Sequence, residues 1–173
     1  MTAPRVGNGM TDTYAELAAK SITAPNGIDF AYRDLGTGPV ALVLLQHSRG
    51  NLDNWDPALI NSLAAHRRVI AFDNAGVAST TGVTPPTTEE MARDALAFID
   101  AMELDRFDLL GFSIGSFVAQ EIALTRPSRQ AGSDVAARIF GRAVNRDVPT
   151  NWATRVVGHT GQAWIVAQPR RAG

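Results

Sequence analysis

Cysteine is absent from this 173-residue chain, which excludes disulfides, thiolate catalysis and cysteine-held zinc. Histidine is scarce: His47, His66 and His159 stand far apart, without metal-ligand spacing, and neither a metal nor another cofactor is expected. An excess of charge of one sign is also missing. The formal net charge is −1 with 19% charged residues, so neither nucleic acid nor an acidic polymer is an expected partner. The longest apolar run, Val40 to Leu45, is far too short to cross a bilayer. Residues 1–10 lack the basic start and apolar core of a signal peptide. The expectation from these absences is a soluble cytoplasmic protein, away from membranes.

What is present suits one globular unit. At 45% hydrophobic residues, 173 residues can bury one good core with little room for a second domain. Residues 21–24 and 28–33 show alternating apolar positions around Pro25-Asn26-Gly27, a β-hairpin signal. Val40 to Leu45 and Val69 to Asp73 are apolar without alternation, as in strands buried on both faces of a parallel sheet. Leu59, Ile60, Leu63 and Ala64 fall at helical spacing between them. Thr87 and Glu90 read as a capping box before a helix whose stripe is Met91, Ala95, Phe98, Ile99 and Met102. Strands alternating with helices in this way imply right-handed crossovers and a parallel sheet covered on both sides.

The chemistry concentrates at Gly111-Phe112-Ser113-Ile114-Gly115. A strand, Phe107 to Phe112, runs into it, and a helix, Ser116 to Arg126, leaves it and stops at Pro127. In that setting G-x-S-x-G is a nucleophile elbow: Ser113 is forced onto a strained turn and its hydroxyl projects at the strand end. The plainer reading is an ordinary strand–helix turn in which Ser113 caps the helix. Beyond Pro127, Ser133 is a candidate cap for a helix over 134–144. The short apolar stretches at 155–157 and 163–167 fit no single element.

With these pieces placed, residues 20–127 resemble the α/β-hydrolase superfamily, closest to its esterase and cofactor-free haloperoxidase-like members. The resemblance rests on the hairpin, His47-Ser48-Arg49-Gly50 after the first buried strand, Asp73-Asn74-Ala75-Gly76 after the second, and the Ser113 elbow. It implies an α/β-hydrolase-like fold: a mainly parallel sheet with an N-terminal antiparallel hairpin. It makes Ser113 the nucleophile. The N–H of Ile114, with that of Arg49 or Ser48, becomes the oxyanion hole. His47, Trp55 and Phe112 belong to the pocket, and Asp73 is a residue at a strand end.

The chain departs from the family pattern at Ser48, Ala75, Ala78 and Ser116, where glycine or arginine is usual, and above all after Ser113. The resemblance calls for an acid and then a histidine downstream. Asp147 and His159 are the candidates, against the plainer reading of a turn aspartate and a loop histidine. Residues 128–173 resemble a lid-like or irregular tail, so the single domain over 1–173 is expected to end its sheet at the elbow strand. That strand would then be an exposed edge, to be covered by 164–167 or by a second copy in a homodimer. The function expected is hydrolysis of an ester-type small-molecule substrate. The alternative is a non-catalytic member serving as a binding or interaction module.

Overall fold

The computed structural model describes residues 13–125 in full, together with the backbone of three strands at 137–140, 152–159 and 162–169. Strands β1 (Lys20–Thr23) and β2 (Asp29–Leu35) form the antiparallel hairpin read from Pro25-Asn26-Gly27, with Gly27 at φ +81° in its turn. Then follow β3 (Ala41–Leu45), α1 (Pro57–Ala64), β4 (Val69–Phe72), α2 (Thr88–Ala101), β5 (Phe107–Phe112) and α3 (Ile114–Thr125). The remaining strands are β6 (Ala137–Phe140), β7 (Trp152–His159) and β8 (Gln162–Pro169).

The main sheet has six strands in the order β1-β2-β4-β3-β5-β6. β4, β3, β5 and β6 are mutually parallel, while β2 runs antiparallel to β4. The resemblance implies the order hairpin, Val69–Asp73, Val40–Leu45, Phe107–Phe112, and that is the order found. β3 lies in the middle, which is why all five of its residues are buried and its sequence shows no polar alternation.

Alternate residues of the same strands feed two cores. Val43, Leu45, Ile70, Phe72 and Leu109 pack with α2 and α3, while Leu42, Leu44, Val69, Ala71 and Leu110 pack with Ile60 of α1. On the first side Phe72 stacks on Phe98 of α2 at 4.3 Å between centroids, and Phe30 closes on both rings. The apolar stripe of α2 therefore faces the sheet as its spacing dictates. Thr87 caps the helix by accepting the Glu90 N–H at 3.2 Å. Glu90 turns its carboxylate to Arg93, leaving half of the expected capping box.

Three expectations are corrected beyond Pro127. The helix expected over 134–144 is interrupted by β6, which pairs with β5 in parallel from Leu109↔Ala137 to Phe112↔Phe140. The unpaired N–H and C=O groups of β5 need a partner, and that demand overrides local helical spacing. β5 is consequently no edge, and the sheet continues one strand past the elbow. Residues 164–167 pair with 154–157 in the separate β7–β8 hairpin instead of with β5. The homodimer expected at an exposed β5 edge loses that basis.

Candidate functional site

Three loops meet at the C-terminal end of the parallel strands. Leu45 is paired with Gly111, so residues 46–50 after β3 and the turn at Ser113 after β5 leave the sheet within one residue of the same rung. Residues 73–80 follow β4 beside them.

Ser113 sits in the left-handed region, at φ +56°, a conformation that costs a residue with a Cβ roughly 1–3 kcal/mol. α3 begins at the next residue, Ile114, two positions earlier than the sequence pattern suggested. The flanking glycines explain how so sharp a turn fits. A Cβ on Gly111 would run into the backbone of Gly115 and Ser116, and one on Gly115 into the carbonyl oxygens of Leu45 and Gln46. Ser116, where the family usually has glycine, is accommodated because its buried hydroxyl donates to the Gly111 carbonyl at 3.1 Å. The Ser113 side chain is left exposed at the sheet end. Ile114 opens the helix, so its N–H has no intrahelical acceptor and lies at the positive terminus of α3, next to Ser113.

The β3 loop faces it. Gln46 is buried, and its side-chain oxygen accepts the His47 N–H at 3.0 Å. The His47 carbonyl in turn accepts from Gly50 N–H at 2.9 Å and from Asn74 Nδ2 at 3.3 Å. This fixes the Ser48-Arg49 turn while, among the described residues, the Ser48 and Arg49 N–H groups have no hydrogen-bond partner. Fixed, unpaired N–H groups opposite a helix start are what an oxyanion requires.

The three residues expected in the pocket do come together. Phe112, 45% exposed, lies between the His47 ring at 6.0 Å and the Trp55 ring at 6.5 Å, both edge-on. Trp55 itself is buried, so it backs the wall and Phe112 presents it. His66 lies between α1 and β4, at the opposite end of the sheet. Among the described residues, then, His47 is the one imidazole at the Ser113 end. Asp147 lies outside the described residues. His159 is the last residue of β7, paired with Gln162, and its side chain is outside them too. Among the described residues no group of three or more His, Asp or Glu could hold a metal ion, and no helix is long and apolar enough to cross a membrane.

Sequence reasoning missed one cluster beneath this site. Asp73, just past β4 and 2% exposed, accepts the Leu52 N–H at 2.7 Å and a backbone hydrogen bond from Ser79. It thus ties two loops together, where the sequence suggested only a strand-end residue. Burial pushes its carboxyl above the ordinary 3.8, against the pull of those two N–H donors. Tyr14, also 2% exposed, donates its hydroxyl to the Leu52 carbonyl at 2.6 Å and its N–H to Asn61. Arg33 lies over the Tyr14 ring at 5.0 Å and pairs with Asp53 at 2.8 Å. The stretch from Tyr14 to Lys20 suggests only a short helical turn, so nothing in the sequence signals the contact of Tyr14 38 residues away.

Residues 41–131 match the family model described as the alpha/beta hydrolase fold. The chain belongs to that family. BpoC of Mycobacterium tuberculosis, provisionally named a non-heme bromoperoxidase, is 35% identical over 102 residues, covering 58% of this chain and 38% of BpoC. RutD of Rhizobium rhizogenes, provisionally named a carbamate hydrolase, is 34% identical over 88 residues, covering 50% of this chain and 33% of RutD. An alpha/beta hydrolase fold protein from Chitinophaga pinensis superposes with a TM-score of 0.65 at 41% identity, over 68% of this chain and 43% of that one. The chain therefore spans less than half the length of each of these relatives. Its family is that of hydrolases built on this sheet, and the loops just described lie within the matched segment.

Proposed function

We propose that the chain acts on ester-type substrates with Ser113 as nucleophile and the N–H groups of Ile114 and of Arg49 or Ser48 as the oxyanion hole. The observation that carries this reading is Ser113 at φ +56° between two glycines that cannot accept a Cβ. Such strain is costly, and in this reading it serves to present the hydroxyl beside the oxyanion hole. The attacking oxygen would add to the acyl carbon, and the carbonyl oxygen would gather charge between the N–H of Ile114 and that of Arg49 or Ser48. The alcohol would leave with a proton, giving an acyl-enzyme that water then hydrolyses. The cytoplasmic location expected from the sequence belongs to the same proposal.

A second reading has its own support. Among the described residues no imidazole–carboxylate pair adjoins Ser113, and a serine without a base is scarcely ionised at neutral pH. In subtilisin, loss of the serine or histidine still leaves about 10³–10⁴ over water from the oxyanion hole and binding. A slow hydrolase or a module that binds acyl compounds without turning them over fits that arithmetic. Labelling with a fluorophosphonate separates the two. Stoichiometric labelling at Ser113, absent in Ser113→Ala, supports the nucleophile. Folded protein that takes no label supports the binding module.

A further inference from the structure

Leu52 is held from both sides. Its N–H goes to Asp73 and its carbonyl takes the Tyr14 hydroxyl, and both of those side chains are almost wholly buried. Residues on either side of it are held as well. Asn51 accepts the Asp53 N–H at 3.0 Å and donates its own N–H to the Asn54 side chain at 2.9 Å, while Asp53 pairs with Arg33. Five hydrogen bonds or ion pairs thus fix residues 51–54, a short turn on the rim of the sheet. The next residue is Trp55, whose ring sets the Phe112 ring edge-on beside Ser113.

Resting on the reading of Ser113 above, the geometry points to this clamped turn as the specificity-determining wall of the site. Asp73 and Tyr14 are its positioning residues, and the acyl group it selects is flat and apolar. With Trp55 and His47 both meeting the Phe112 ring by their edges, Phe112 keeps a fixed orientation and an exposed surface. An aromatic acyl group gains offset or edge-on contact there, while an acetyl group has no ring with which to make it. The carboxylate or carbonyl end of either would meet the free N–H groups of Ser48, Arg49 and Ile114, so the wall acts on selectivity and the N–H groups on the shared end. Neither Asp73 nor Tyr14 need touch the ligand. Each acts through Leu52.

The test uses binding, so that it does not depend on turnover. In the full chain carrying Trp152→Phe and Trp164→Phe, Trp55 is the sole tryptophan, and its fluorescence follows titration with benzoate and with acetate. The expected result is benzoate binding at least tenfold tighter than acetate. That preference should fall to threefold or less in Tyr14→Phe and in Asp73→Ala. The double variant should be no worse than the poorer single, because both hold one residue. Asp73→Asn keeps an oxygen facing the Leu52 N–H and should retain the preference. Acrylamide should quench Trp55 more strongly in the first two variants and leave Asp73→Asn as the parent. Equal affinity for benzoate and acetate in the parent overturns the proposal. So does a preference that survives in folded Tyr14→Phe, or a lower melting temperature in the variants with quenching and preference unchanged. Fluorophosphonate labelling of Ser113 in the same protein is scored separately, so a failure of the nucleophile reading is seen apart from a failure of the clamp.

Discussion

The two ends of the parallel sheet are built on opposite rules. At the N-terminal end, charges are matched. Arg67 pairs with Asp108 at 2.5 Å and reaches the Val40 carbonyl, and Arg68 grips Asp34 with two nitrogens at 2.7–3.3 Å. These pairs tie the starts of β3, β4 and β5 to the end of β2. At the C-terminal end a serine is held in a strained conformation, N–H groups stand without acceptors among the described residues, and a phenylalanine ring is exposed. A folded chain tolerates such an end only where the other end and the two cores hold the sheet firmly. The comparison separates residues whose loss should cost stability from those whose loss should cost function.

The sharpest break is Ser113→Ala. Removing the hydroxyl should abolish fluorophosphonate labelling and lower turnover of an activated ester by at least about a hundredfold. Its melting temperature should equal or exceed the parent's, because the hydroxyl makes no buried hydrogen bond and the alanine keeps the same backbone demand. Equal turnover in both proteins would take Ser113 out of the mechanism.

The matched end should respond in the opposite way. Asp108→Ala takes the carboxylate from Arg67, whose side chain is 22% exposed and keeps the Val40 carbonyl, and should cost about 2 kcal/mol by denaturant unfolding. Labelling of Ser113 per folded molecule should not change. Loss of labelling at full folding would show the two ends to be coupled, contrary to the division drawn here.

Tyr14 reaches from the clamp into the same stability account, but only at alkaline pH. Burial holds its hydroxyl up at about 12, above the ordinary 10.0, outweighing the Arg33 guanidinium beside it. With the folded value above the unfolded one, its contribution is complete below pH 10 and is lost as pH rises toward 12. By the usual conversion the loss is roughly 2–3 kcal/mol. Unfolding followed from pH 9 to 12 should show that fall in the parent and little of it in Tyr14→Phe.

How far the sequence could be read follows the same division. β3, β4 and β5, the hairpin and the stripe of α2 were legible because burial on one or both faces leaves a periodic trace. So was the turn at Ser113, since Gly111 and Gly115 are the only residues small enough for its backbone to pass. The ion pairs at the far end and the Tyr14–Leu52–Asp73 clamp were not, because they join residues 21–41 positions apart with no local pattern. β6 was misread for a related reason. Ala137 to Phe140 is too short for periodicity to decide, and what selects strand there is the open side of β5.

The smallest effect expected belongs to Asp73, and it sharpens the comparison because a functional end should show uncompensated burial. Burial raises its carboxyl above 3.8, while the Leu52 and Ser79 N–H donors pull it back and Asp53 and Arg33 act on it with opposite signs. A folded value above the unfolded one means that Asp73 contributes its full stability below pH 3.8 and loses it as pH rises through the raised value. The parent should therefore forfeit a little stability on going from pH 3.5 toward 6 that Asp73→Asn does not. Asp94, on α2, is raised by burial in the same direction, so Asp94→Asn serves as the reference. Urea midpoints of the parent and both variants over that range give the answer. If Asp73→Asn follows the parent's slope while Asp94→Asn flattens it, the two N–H donors have offset the burial completely. Asp73 would then sit as comfortably as the paired aspartates at the other end.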